Sequence, residues 1–450
     1  MVRDLTSGKP VSLIVGFSVP LLFGNLFQQL YNMVDTVIVG KFVGITALAA
    51  VGATGSISFL IIGFLIGLCS GFSINVAQSF GAGDMKEMRR YVANSLYLCG
   101  IAAIVLTTLT MLSTRGILVI MKTPDDIMEQ SYSYIIIIFG GMVITMLYNI
   151  LAAILRALGD TKTPLIFLAI ASVMNALLDL LFVVILRFGV AGAAIATLIS
   201  QGVSAVLCLI YIIRRYPVLH IEKDEAAFST AHCKKLLGIG VPMALQFSIT
   251  AVGAIVLQTA TNKLGSGIVA SVTAANKIQM LVTQPMDTLG ITMATFCGQN
   301  LGAGRPDRIK QGIRQSVLLS VGYCILACLF VWTLSGKIAF IFIDSTETAI
   351  LNNLQYFLRV NGVLYPVLGV LFVFRNSLQG MGYSMFAMTA GVCELVARVL
   401  VAVLLVGVLG FFAICIAGPA AWLAADLLLI PTYIFKMKKL SEAYSPPAKA

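Results

Sequence analysis

The chain has 450 residues, 59% hydrophobic and only 11% charged, with a formal net charge of +11 and a mean hydropathy of +0.97. Soluble domains carry about 45–50% apolar and about 25% charged residues, so a soluble enzyme, a disordered chain, a disulfide scaffold and a coiled coil are excluded. The apolar runs are continuous rather than alternating in segments of about ten residues, which disfavours a transmembrane barrel and leaves an all-α integral membrane protein.

A spanning helix needs about 20 apolar residues. In chain order the sequence offers twelve such segments: 11–40, 45–77, 91–113, 131–155, 164–187, 190–213, 236–260, 268–297, 312–334, 351–377, 385–408 and 410–435. The basic start, with Arg3 and Lys9, leads into an apolar stretch too long for a signal-peptide core, so it is taken as the first helix. If the N-terminus lies on side one, twenty Lys and Arg fall on that side and six on the other. Side one holds Arg3, Lys9, Lys86, Arg89, Arg90 and further clusters up to Lys449; Lys41, Arg115, Lys122, Arg187, Lys263 and Lys337 lie opposite. The positive-inside rule then predicts that both termini are cytoplasmic, in a multi-pass protein of the cytoplasmic membrane. No basic stripe with interleaved aromatics points to nucleic acid.

The nine cysteines form no CxxC pair and read as small buried hydrophobes. Both histidines, His220 and His232, fall in the central polar loop, so no metal site or imidazole relay is expected inside the membrane.

The chain repeats itself at half its length. Val19 and Pro20 recur as Val241 and Pro242; Gln78, Gly81, Ala82 and Gly83 recur as Gln299, Gly302, Ala303 and Gly304; Leu155 and Gly159 recur as Leu378 and Gly382. This divides the chain into an N-lobe at 1–213, a cytoplasmic linker at 214–235 and a C-lobe at 236–450. Six helices per half make the repeats parallel, related by a pseudo-two-fold along the membrane normal, the arrangement used for alternating access about a central cavity.

Five acids fall inside helices: Asp35, Asp179, Asp287, Glu394 and Asp426. A charge at the membrane centre costs at least ~2.5–3.5 kcal/mol, so each needs a partner, a cavity or a proton. Asp35, Asp179 and Thr197 lie roughly 9–12 Å below the outer ends of their helices at about 1.5 Å per residue, and Asn175 shares a face with Asp179 one turn deeper. Together they make an oxygen-rich set suited either to Na⁺ or to a shared proton. A lone Asp35 would also fit a helix-capping or snorkelling acid near the interface. Glu394 and Arg398, four residues apart, read as a self-neutralising pair. Asp287 follows Pro285 and is either structural or cavity-lining; Asp426 has no evident role. Pro20, inside the first helix, should kink it. Gln28, Tyr31 and Asn149 are expected to line the cavity, with Tyr31 able to stack on a cation, or to serve as interhelical glue.

These residues resemble the multidrug and toxic compound extrusion (MATE) family. The carriers are the run from Pro20 to Asp35, the two Gly-Ala-Gly turns, Asn175 to Asp179, Gly192 to Thr197, and Glu394 to Arg398, and the resemblance spans about residues 10–435. It implies two six-helix lobes and cation-coupled export of amphipathic, mainly cationic drugs, with Na⁺ or H⁺ as the coupling ion and no other cofactor. It also implies a cation site at Asp35, Asn175, Asp179 and Thr197 and a conformational hinge at Pro20. Segments 236–260 and 351–377 contain no Asp or Glu, unlike a NorM-like branch, so the pattern is closer to DinF-like members. The wider superfamily keeps a second expectation open, a flippase for a lipid-linked oligosaccharide or other envelope precursor. No enzymatic constellation is present in the helices. The expected partners are a small amphipathic molecule and the lipid bilayer, with the protein a monomer.

Overall fold

The computed structural model describes residues 4–340 and 347–444; Arg3 and Lys449, counted above among the side-one charges, lie outside them. The first half consists of α1 (Pro10–Phe42), α2 (Ile45–Gly81), α3 (Met85–Ile120), α4 (Asp125–Gly140), α5 (Met142–Ala157), α6 (Lys162–Asp179) and α7 (Gly189–Arg215). The second half follows with α8 (Thr230–Asn262), α9 (Ser266–Gly302), α10 (Pro306–Ala339), α11 (Thr348–Val363), α12 (Tyr365–Gly380), α13 (Ser384–Leu400), α14 (Val406–Leu409) and α15 (Phe411–Tyr444). Among the described residues nine helical spans are long and apolar enough to cross a membrane, two of which, Lys162–Ile185 and Ser384–Leu409, join α6 and α13 to the turns that follow them; α4 with α5 and α11 with α12 cross as bent pairs. The twelfth, α9, is 37 residues long but more polar, with Lys277 and Asp287 in its interior. Leu112 is 82% exposed and Leu427 78% exposed, as helices solvated by lipid require.

Two of the expected single helices are broken. The segment 131–155 bends by 48° between Gly140 and Met142, and 351–377 bends by 53° between Val363 and Tyr365. Gly141 sits in the first bend, where a Cβ would fall 2.1 Å from Leu198 Cδ2, so that any larger residue there obliges the Leu198 side chain to move. A second departure is a π-helical segment after α6, Leu180–Ile185, matched by another after α13, Val401–Leu405. The two π-segments start 221 residues apart, which sets Leu400 opposite Asp179 in the repeat.

The repeat extends to backbone conformation. Gly44 and Gly265 have φ of 122° and 99°, and Gly83 and Gly304 have φ of 73° and 65°. Each pair lies 221 residues apart, in a left-handed conformation that a side chain resists. The same tight turns between long helices are thus built twice from the same residue type.

The described residues form two compact units. One comprises Asp4 and Val19–Ala244 and the other Leu5–Ser18 with residues 245–444. The chain therefore passes between units inside α1 and α8, close to Pro20 and Pro242, and not within 214–235. That segment packs on the first unit. Arg89 grips the Glu225 carboxylate through Nε and Nη2, both at 2.6 Å; Lys86 pairs with Asp224 at 2.7 Å; Asn94 Oδ1 accepts from Ser229 N at 2.8 Å. In the second unit the residues ahead of α1 are held in the corresponding way. Arg308 donates to the carbonyls of Leu5 and Gly8, and Gln299 Oε1 accepts from Leu5 N. The start of α8 is seated in the first unit by close approach to α2. A Cβ on Gly71 would lie 2.4 Å from Gly240 Cα, and one on Gly67 2.7 Å from Ala244 Cα, the small-residue packing by which membrane helices associate. In the second unit a hydroxyl pair, Ser18 with Thr292 at 2.8 Å, takes the place of the glycines.

The Arg89 guanidinium, hydrogen-bonded to Glu225, holds that carboxyl down at about 2. An ordinary glutamate titrates near 4.3. A depressed folded pKa contributes stability above the unfolded value and loses it as pH falls toward the folded one. Glu225→Gln is therefore expected to speed limited proteolysis of 214–235 at neutral pH. Wild-type protein should show the same acceleration only as pH drops from about 4.3 toward 2.

Candidate functional site

The first unit brings together the acids that the sequence singled out. Asp35 stands on α1, Asn175 and Asp179 on the last turns of α6, and Thr197 on α7. Asn175 and Asp179 are fully buried and Asp35 is 9% exposed. The two carboxylates are neighbours close enough to interact directly. Tyr31, one turn before Asp35 on α1, brings its hydroxyl toward Thr197. Neither makes a hydrogen bond of ordinary geometry among the described residues. Asp35 Oδ1, both oxygens of Asp179, both polar atoms of Asn175, Tyr31 Oη and Thr197 Oγ1 are all buried without a hydrogen-bond partner there.

Buried polar atoms are normally satisfied, and each exception costs about 1–3 kcal/mol. Seven such atoms from five neighbouring side chains form a polar nest of acceptors, hydroxyls and one amide. Like charges 4 Å apart at an effective dielectric of 20 repel by ~4 kcal/mol, so two adjacent carboxylates in a membrane require a positive partner. Oxygen donors of this kind suit a hard monovalent cation, and the carboxylate pair equally suits a proton.

Local structure explains why Asp179 can be so placed. The α-helical pattern ends at Asp179 and π-helical turns begin at Leu180, with Leu186 N donating to Leu181 O and Phe188 N to Phe182 O. A π-segment inserts an extra residue per turn and is common at functional positions. Nothing in the run Leu180–Ile185 announces it. Tyr134 of α4, which the sequence reading passed over, also lies within electrostatic reach of both carboxylates. The only available signal was a tyrosine in an otherwise apolar helix, and a core tyrosine looks the same.

Gln28, Tyr31 and Asn149 line one cavity, as do Thr145, Ser200 and Gln201. Asn149 Nδ2 donates to Thr145 O at 2.8 Å, and Thr145 Oγ1 to Gln201 Oε1 at 2.8 Å, so these groups also tie α5 to α7. The cavity holds about 50 Å³, well below the ≈300–1,000 Å³ of small-molecule pockets. Pro20 lies within α1, which stays helical through it.

The second unit has no carboxylate at the position matching Asp35 or Asp179. Its buried charges cluster elsewhere. Glu394 pairs with Arg398 at 3.1 Å, as the spacing suggested, but also with Arg375 of α12. Asp287, read from the sequence as structural or cavity-lining, and Asp426, which had no evident role, both lie within electrostatic reach of Arg375.

The chain matches the MatE family over residues 20–181 and 242–404, one stretch in each half. It is 27% identical over 384 residues to the probable multidrug resistance protein YpnP of Bacillus subtilis, covering 84% of each chain. It is 30% identical over 339 residues to the probable multidrug resistance protein YoeA of the same organism, covering 74% of this chain and 73% of that one. Its fold is similar to that of a multidrug resistance MATE family transporter of the MOP superfamily solved in an outward-facing conformation. There the TM-score is 0.91 at 24% identity, covering 97% of this chain and 98% of the other. With matches in both halves, a twelve-span helical architecture and buried membrane acids, the chain belongs to the MatE family of bacterial membrane transporters and is not an enzyme.

Proposed function

We propose that the protein is a cation-coupled antiporter that exports amphipathic, mainly cationic compounds across the cytoplasmic membrane, working as a monomer with both termini in the cytoplasm. The observation that carries this reading is the side-by-side burial of Asp35 and Asp179 among unpartnered oxygens. Asp35, Asp179, Asn175 and Thr197 hold the driving cation, Na⁺ or H⁺. Binding it neutralises the acids and removes both the attraction for a cationic substrate and the cost of enclosing charge in lipid. Gln28, Tyr31 and Asn149 contact the substrate once the small cavity beside them has widened. Pro20, whose missing N–H leaves one carbonyl of α1 without its helical partner, is the hinge that lets α1 change shape between states. The multidrug relatives support the substrate class, and the excess of Lys and Arg on one side supports the orientation.

Reconstitution into proteoliposomes, with pH and Na⁺ gradients imposed separately, tests this. One gradient is expected to drive accumulation of a lipophilic fluorescent cation and the other to leave it at the level of empty vesicles. Transport indifferent to both gradients would overturn the coupling. A defect confined to a cell-envelope polymer on deletion in the host, with unchanged sensitivity to cationic drugs, would favour the flippase alternative.

A further inference from the structure

The second unit carries five ionisable side chains within the membrane-spanning helices, linked by ion pairs or electrostatic reach: Asp287 on α9, Arg375 on α12, Glu394 and Arg398 on α13, and Asp426 on α15. Arg375 is 6% exposed, Glu394 3% and Asp426 6%. Glu394 is clamped between the two guanidiniums, Oε1 toward Arg375 and Oε2 toward Arg398. Arg375 in turn lies within electrostatic reach of Asp426 and Asp287. Arg398 is pressed against α8, where a Cβ on Gly253 would come within 2.9 Å of its Nη1.

Charge counting decides what this cluster must hold. Arginine keeps its proton in proteins, so the cluster contains two fixed positive charges. Glu394, contacted by both, is ionised. One further carboxylate balances the sum, yet two are present. Leaving a net negative charge inside the bilayer costs several kcal/mol; a single proton removes it. Asp426 Oδ1 is buried with no hydrogen-bond partner among the described residues, whereas Asp287 is only partly buried. A bare metal cation is disfavoured here by the two adjacent guanidiniums. Of the other helices packed on α15, α11 carries Arg359, but that guanidinium stacks over Trp332, 5.6 Å from its ring centroid. The α10 charges, Lys310, Arg314 and Lys337, belong to its end turns.

We infer that the second unit contains a proton-binding site, with one proton held on Asp426 and Asp287 ionised within electrostatic reach of Arg375. It is separate in residues and in unit from the Asp35–Asp179 pair. Removing either aspartate makes the remaining four groups electroneutral without a proton; removing both leaves one uncompensated positive charge.

Infrared difference spectroscopy of purified full-length protein tests this in an Asp35→Asn/Asp179→Asn background, where the first unit contributes no carboxyl signal. The expected result is a protonated-carboxyl stretch equivalent to one group per chain at neutral pH, insensitive to added NaCl. It should be lost in Asp426→Asn and also in Asp287→Asn, each tested in that background. The Asp287→Asn/Asp426→Asn combination should show reduced thermal stability relative to either single change. Absence of the band in the background protein, its survival in both single variants, or its displacement by sodium would each overturn the inference. Should one single variant fail to fold, loss or survival in the other still decides.

Discussion

Replacing Asp35 or Asp179 by asparagine is expected to cut gradient-driven efflux to the level of empty vesicles while leaving insertion and folded yield near wild type. The amide is nearly isosteric with the carboxylate and less costly in lipid than an ionised acid. It occupies the same space between α1 and α6 but cannot carry the charge that attracts a cation. Both acids are buried beside each other, so each single change converts a two-carboxylate site into a one-carboxylate site with a different cation affinity. Coupling is reciprocal: a cation that weakens substrate binding by some factor is itself weakened by the substrate to the same extent. Equilibrium binding of a lipophilic cation in detergent should consequently lose its dependence on pH or Na⁺ in both variants. Wild-type coupled efflux from both single variants at normal expression would remove this pair from the mechanism. So would loss of coupling in Glu394→Gln while the two variants retain it.

A substitution as small as Gly71→Ala is expected to lower stability severely, by ~1–3 kcal/mol or more, the usual cost of overpacking. The added methyl would sit 2.4 Å from Gly240 Cα and 2.9 Å from Gly240 N, and backbone cannot swing aside as a long side chain can. Either α2 and α8 separate, losing contacts along their seam, or the variant fails to accumulate. Gly100→Ala on α3 is the control: a Cβ there meets nothing within 4 Å. Alanine exceeds glycine in helix propensity by up to ~1 kcal/mol, so this change should be neutral or stabilising. Opposite signs for the same Gly→Ala change, read as thermal melting of purified protein, would separate a packing requirement from a general need for glycine in these helices.

How much of this was legible beforehand differs from residue to residue. Composition and twelve apolar runs determine an all-α membrane protein, because lipid allows a spanning chain few alternatives to helices. The repeat was readable from Pro20 and Pro242 and from the two Gly-Ala-Gly turns, since turns that need a positive φ need glycine in both copies. The acids of the first unit were legible as well, because a carboxylate in an apolar helix is costly enough to announce itself. The sequence could say that Asp35 and Asp179 lie at similar depth. Only the tertiary structure decided that they are neighbours, because that depends on how α1 and α6 are rotated about their axes.

Other features left no local trace. The bends at Gly141 and Leu364 interrupt runs whose hydropathy is continuous, and the π-segment after Asp179 is written in ordinary leucines, valines and isoleucine. Tyr134 reads as a core tyrosine until α4 is placed. The assembly of Asp287, Arg375, Glu394, Arg398 and Asp426 is a matter of long-range packing: four helices each contribute one or two charges, and spacing along the chain reveals only the Glu394–Arg398 pair. The boundary between the units, likewise, was expected in the polar stretch 214–235, where composition changes. The structure divides inside α1 and α8 instead, because the polar stretch is tied to the first unit by the Arg89–Glu225 and Lys86–Asp224 pairs.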